Sequence, residues 1–233
     1  MAGNNITAVL VHGAWADGSS WAKVIRRLKQ RGIAALAAPL PLTSLRDDAA
    51  ALERAIERVD EPVVLVGHAY GGAVIGSVRA ANVAALVYVA AIAPDEGETV
   101  GDVFHRAEPH PLAPKLAPDA HGLIWYPEPA FASAFAQNAT AEEHTVLASI
   151  QRPIAVASLG EVIHQPLWRD RPSWFLIAEQ DRMISPATQH FLARRMNAHV
   201  RSLDVDHTPN VTAPDAVTDV IVEAIESVSV PSR

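Results

Sequence analysis

The chain has 233 residues, 49% of them hydrophobic and 19% charged, a composition that supplies a buried core and excludes the disordered class. Its formal charge is -7, from 19 Lys plus Arg against 26 Asp plus Glu, and its basic residues cluster only on a short helix face, Lys23 to Arg31; nucleic acid is therefore not an expected partner. It has no cysteine, its apolar runs are too short for a membrane span and its first residues lack the pattern of a targeting signal, so a cytoplasmic protein without disulfide, thiolate metal site or membrane anchor is expected.

The first apolar run, residues 6 to 11, is continuous rather than alternating, as in a strand covered on both faces. It ends in His12-Gly13-Ala14-Trp15, and the loop continues through Asp17 and Gly18 to Ser20. Trp21, Val24, Ile25 and Leu28 follow at helical spacing, and 33 to 37 reads as the second strand. A second helix is marked by Leu52, Ile56 and Val59.

The third strand, 62 to 66, runs into Gly67-His68-Ala69-Tyr70-Gly71-Gly72 and then a helix-compatible stretch. Strand, sharp turn and helix with small residues at the crowded points is the setting of a nucleophile elbow, G-x-S-x-G, except that its centre is Ala69. Two glycines after a parallel strand often do no more than close a turn, so the motif gains its meaning from the rest of the chain.

A fourth strand, 86 to 91, precedes a segment between Pro94 and Pro172 that holds ten of the 17 prolines. Glu108 to Pro129 should therefore be irregular, with helix returning at Phe131 and Phe135 and after a capping box of Thr140 and Glu143. Residues 95 to 170 are read as a mainly helical cap inserted into one domain spanning 1 to 233. Two more strands follow, 173 to 178 and 199 to 205, and a last helix carries Val217, Val220, Ile221, Ala224, Ile225 and Val228. Strand and helix alternate, so the expected fold is α/β, a doubly wound, mostly parallel sheet of about six strands.

Asp181 lies just past the fifth strand and His207 just past the sixth, where open α/β sheets place their sites. The chain order of position 69, acid, histidine matches that of the α/β-hydrolases. Asp95 is the reserve acid, and Asp206 is too near His207 in sequence to orient it easily. His12 is read as a histidine satisfied within its turn. The amides of Ala14 and Tyr70 would form an oxyanion hole. Trp15, Ser20, Trp125 and Tyr126 are the candidate substrate contacts. No metal is expected, since the ten histidines lack H-E-x-x-H spacing and Glu142-Glu143-His144 has no second histidine. No cofactor is expected either; the expected partner is a small-molecule substrate, and a homodimer is compatible with the sequence.

The segments VLVHGAWADGSSW, PVVLVGHAYGG, LVYVAAIAPDEGE, PSWFLIAEQDRMISPATQHFLARRM and DHTPNVTAPDAV resemble the small bacterial α/β-hydrolases related to plant methylesterases and hydroxynitrile lyases, over nearly the whole chain. The resemblance implies that Asp181 is the triad acid, His207 the base, Ala14 and Tyr70 the oxyanion donors and residues 95 to 170 the substrate cap. It also implies serine at 69, and here the chain departs. A methyl group cannot attack a carbonyl, so the acyl-enzyme route is closed. Three readings stand: an ester or lactone hydrolase in which serine was exchanged for alanine; a natural alanine enzyme in which His207 acts as general base for water-mediated hydrolysis, decarboxylation or carbon-carbon cleavage; and a catalytically silent small-ligand-binding protein.

Overall fold

The computed structural model describes residues 6–229. Strands β1 (Thr7–Val11), β2 (Ala34–Ala38), β3 (Val63–His68) and β4 (Val83–Val89) precede a long insertion, which carries a two-stranded antiparallel pair, β5 (Leu123–Ile124) and β6 (Ile154–Ala155). After the insertion come β7 (Ser173–Ala178) and β8 (His199–Leu203). The main sheet has the order β2-β1-β3-β4-β7-β8, and every pairing in it is parallel. This is the expected doubly wound α/β architecture. The fourth strand runs over 83–89 rather than 86–91, because Ala90 turns out of the sheet with a φ of 45°.

Ten α-helices are described: α1 (Ala22–Gln30), α2 (Leu45–Ile56), α3 (Gly71–Ser77), α4 (Val100–Phe104), α5 (Glu128–Ala130), α6 (Ala141–Ile150), α7 (Ala157–Gly160), α8 (Pro186–Arg195), α9 (Pro209–Thr212) and α10 (Pro214–Val228). Their starts follow local chemistry. Ser44 caps α2 by accepting the Asp47 amide, Thr140 and Glu143 close a capping box on α6, and Pro186 and Pro214 open α8 and α10, where a missing N–H costs nothing. No described helix is long and apolar enough to cross a membrane.

Alternate residues of each central strand serve two apolar layers. Ala8, Leu10, Val64, Val66 and Val87 pack under α1 and α10, while Val9, Val11, Leu65, Leu86 and Tyr88 pack under α2, α3, α8 and the insertion. Strands buried on both faces have no polar side to display, which is why β1 and β3 are continuous apolar runs. The chain leaves β1 toward β2 on one side and later enters β3 on the other, so β1 and β3 flank the topological switch point. The loops after them diverge there and leave a crevice at the carboxyl edge.

Within the insertion, residues 105–122 form neither helix nor strand, but the irregular segment expected over Glu108 to Pro129 is interrupted by β5 and by the start of α5, where Pro129 sits in the first turn and its missing N–H costs nothing. Phe131–Phe135, expected as ordinary helix, forms a single π turn closed by the Ala136 amide on the Phe131 carbonyl at 2.8 Å.

Candidate active site

The turn after β3 is dictated by crowding. A Cβ on Gly67 would stand 2.6 Å from the Gly71 carbonyl oxygen, and one on Gly71 would stand 2.6 Å from the Val11 carbonyl oxygen, so only glycine fits either place. Between them Ala69 adopts a φ of 49°, the left-handed region that an L-residue occupies only under constraint. The Ala69 carbonyl accepts the Gly72 and Ile92 amides at 3.1 and 3.0 Å. In a trans peptide the next N–H points the opposite way. Among the described residues that amide, of Tyr70, has no acceptor, and neither has the amide of Ala14. The Trp15 amide is taken, donating to the Arg152 carbonyl at 3.1 Å.

Asp181 and His207 are brought together by the ends of β7 and β8. The Asp181 Oδ2 and His207 Nδ1 lie 2.9 Å apart, with both side chains buried. Asp181 Oδ1 accepts the Met183 and Ile184 amides at 2.7 and 2.9 Å, and Oδ2 also accepts Gln189 Nε2 at 2.8 Å. A carboxylate with four donors is fully satisfied and held in one plane. The reserve acid Asp95 pairs instead with Arg169 at 2.6 Å. Asp206 is buried but turned from His207, accepting the Asn138 and Thr208 amides and the Thr212 hydroxyl.

The His207 ring is clamped between Phe135 and His68, whose ring centroids lie 5.3 and 5.0 Å away. His68 donates from Nε2 to the His207 carbonyl at 2.7 Å, and full burial pushes its pKa down to about 3. His12 is satisfied only half within its turn: its Nδ1 meets the Gly13 carbonyl at 2.9 Å, while its Nε2 accepts the amide of Leu40, from the loop after β2, at 3.3 Å. Burial lowers its pKa as well.

Ala69, Ala14, Tyr70 and His207 line one cavity of about 150 Å³, together with Trp15 and, from the insertion, Phe104, His105, Leu116 and Ile124. The cavity wall contains no Asp, Glu, Lys or Arg. Of the four residues expected to contact substrate, the structure places only Trp15 here, with its Nε1 bonded to the Ile124 carbonyl at 2.9 Å. Ser20 turns its hydroxyl back to the Asp17 carbonyl, outside the cavity. Tyr126 is buried behind Trp15, its ring centroid 5.0 Å away and its hydroxyl on the Met183 sulfur. Trp125 is 50% exposed and bonds the exposed Asp119, because adjacent residues of an extended segment face opposite ways. Among the described residues no group of three His, Asp or Glu is placed to hold a metal ion.

Three polar residues of the site were not singled out from the sequence: His68, Gln189 and Asp48. Gln189 and Asp48 are fully buried. The Asp48 carboxylate accepts the Tyr70 hydroxyl at 2.6 Å and the Leu42 amide at 2.7 Å. A signal was present, since Asp48 shares a helix stripe with Leu52 and Ile56, and Gln189 shares one with Leu192 and Ala193. A polar side chain on an apolar stripe is buried and must find partners.

Comparison with known proteins agrees with this fold. The model of the Alpha/beta hydrolase family matches residues 8–220. The chain is similar to a probable hydrolase of a Phoma species, 29% identical over 241 residues that cover 92% of this chain and 96% of that protein. It is also similar to a carbendazim hydrolyzing esterase of a Nocardioides species, 27% identical over 71% of this chain and 80% of the other. Among solved structures, a methylesterase from Arabidopsis superposes with a TM-score of 0.76 at 16% identity, covering 95% of this chain and 99% of its own.

Proposed function

This chain belongs to the alpha/beta hydrolase family, and from that membership and the cavity's geometry we propose that it hydrolyses a small, uncharged, apolar ester or lactone without an acyl-enzyme intermediate. The observation that carries the reading is the convergence on one cavity of a buried His207–Asp181 pair, two amides without acceptors and a methyl group at the elbow. With Nδ1–H donated to Asp181, the other ring nitrogen of His207 is a free base. It takes a proton from a water standing where the elbow's hydroxyl would be, and that water's oxygen attacks the carbonyl carbon. The Ala14 and Tyr70 amides hold the oxygen that becomes negative. On collapse the carbon-oxygen ester bond breaks, and the leaving alkoxide takes the proton back from His207. Asp181 steadies the imidazolium in between.

The substrate class rests on the wall. Apart from His105, His207 and the two free amides the wall is apolar, so the substrate's groups away from its carbonyl gain from leaving water, whereas an ionised group among them would meet no carboxylate, ammonium or guanidinium. The names of the relatives, a hydrolase and an esterase, point the same way. The segment 95–170 then acts as the cap that covers the substrate.

The test is Ala69→Ser. It should produce a burst of p-nitrophenol from p-nitrophenyl butyrate and raise kcat by about 10³-fold or more, the scale on which removal of a triad nucleophile is felt. The unmodified chain should turn over the same ester slowly, without a burst, and His207→Ala should abolish that turnover. Failure of Ala69→Ser across a broad ester and lactone panel, or slow turnover that survives His207→Ala, would overturn the proposal and favour a silent ligand-binding protein.

A further inference from the structure

We propose that Asp48 is a positioning residue that sets the Tyr70 main-chain amide by gripping the Tyr70 phenol. The proposal rests on the reading above, in which that amide receives the developing oxyanion.

The peptide plane between Ala69 and Tyr70 has two handles. Its carbonyl is pinned by the Gly72 and Ile92 amides. The other handle is the Tyr70 side chain, which walls the cavity and ends in a 2.6 Å bond to Asp48 Oδ2. With both handles held, rotation of the plane is blocked and its N–H stays aimed at the cavity. Donors pre-set in this way need no reorganisation when charge develops.

Asp48 is placed for this task at a cost. Its side chain is fully buried in the first turn of α2, and an acid there is tolerated only with donors. The second donor, Leu42, sits at a φ of 61° and accepts through its carbonyl the Ala155 amide of β6 at 2.9 Å. One carboxyl therefore ties the elbow to the strand whose Ile154 forms part of the cavity wall. The charged groups facing it are Asp47 on its own helix and Arg152 of the insertion, and Glu161 of the insertion faces Tyr70. Burial is the largest influence, pushing the Asp48 carboxyl up to about 6 against the opposing bonds from Tyr70 and Leu42. The phenol is pushed well above its ordinary range by burial and by Asp48, so it stays a donor throughout.

The experiment has an activity arm and a structural arm. In the Ala69→Ser background, Tyr70→Phe and Asp48→Asn should each lower kcat by about 10- to 100-fold, somewhat less than outright loss of an oxyanion donor. KM should stay within about three-fold, and the double variant should be no worse than the stronger single one, because both changes break one contact. In the ¹⁵N-labelled parent chain, the Tyr70 amide resonance should titrate with a midpoint near 6, and Asp48→Asn should remove that titration. Unchanged kcat in both single variants, or a flat Tyr70 amide resonance between about pH 5 and 7, would overturn the proposal. If Asp48→Asn does not fold, Tyr70→Phe and the parent titration decide it. An inactive Ala69→Ser chain would count against the hydrolase reading alone, and the amide titration would still decide the role of Asp48.

Discussion

Asp181 receives four donors, and only one of them is the imidazole. Gln189 supplies another through Nε2 while its Oε1 accepts the Ala178 amide at 3.0 Å and its Nε2 also reaches the Ile184 carbonyl. Replacing it by an apolar group of similar length takes from Asp181 Oδ2 one of its two donors, leaving only the His207 imidazole, and removes the side-chain partner of the Ala178 amide and the Ile184 carbonyl. Gln189→Leu is therefore expected to lower unfolding free energy by about 1–3 kcal/mol, measured by urea denaturation. An unchanged midpoint would mean that the network relaxes around the loss. His68 makes a prediction of opposite kind, in pH. Its folded pKa, about 3, lies below the ordinary 6.5, so its contribution is present above pH 6.5 and drains away as pH falls toward 3. Thermal unfolding followed from pH 7 to pH 4 should show a steeper loss in the parent than in His68→Gln; parallel curves would remove His68 as a source of acid sensitivity. The residues legible in the sequence were those announced by chain order, Asp181 and His207, whose pairing requires only that two strand ends be neighbours. Gln189, His68 and Asp48 act through partners that meet only in the folded chain, and their sole trace is a polar letter in an apolar row.

At the scale of elements, the elbow is the least forgiving turn in the molecule. Gly71→Ala would drive a methyl carbon onto the Val11 carbonyl oxygen at 2.6 Å, backbone that cannot swing aside. The expected cost is about 1–3 kcal/mol, with loss of whatever activity the chain shows, measured by denaturation and by assay of the folded fraction. Retention of parental stability would mean that β1 can retreat. The strands were readable as continuous apolar runs because helices cover both faces of β1 and β3, and the capping box of α6 was readable because Thr140 and Glu143 bond one another locally. The aromatic residues of the insertion were not. Whether Trp125 or Tyr126 points inward depends on the phase of an extended segment only two residues long before it, β5, and that phase is set by pairing with β6, thirty residues away in the chain.

For the molecule as a whole, the parallel sheet is covered on both faces and its carboxyl edge is left to loops, while the stretch 105–122 lies outside every helix and strand. Lys115 is exposed within it, so brief digestion with trypsin should cut there first and leave the far-ultraviolet signal of the sheet and its helices intact. A first cut within the sheet's own loops would show that this stretch is held more firmly than its irregularity implies. The other half of the insertion is tied differently. The Ser133 carbonyl accepts Arg182, the Phe135 carbonyl accepts Thr208, Gln137 donates to the Gln180 carbonyl and the Asn138 amide donates to Asp206. Four residues within 133–138 thus lace the loop that carries Asp181 to the loop that carries His207. For chimeras assembled from members of one family, this places the safe junctions outside residues 133–138: a transplanted insertion that brings its own version of that stretch without the two matching loops would leave all four ties unmade and free the two loops from one another.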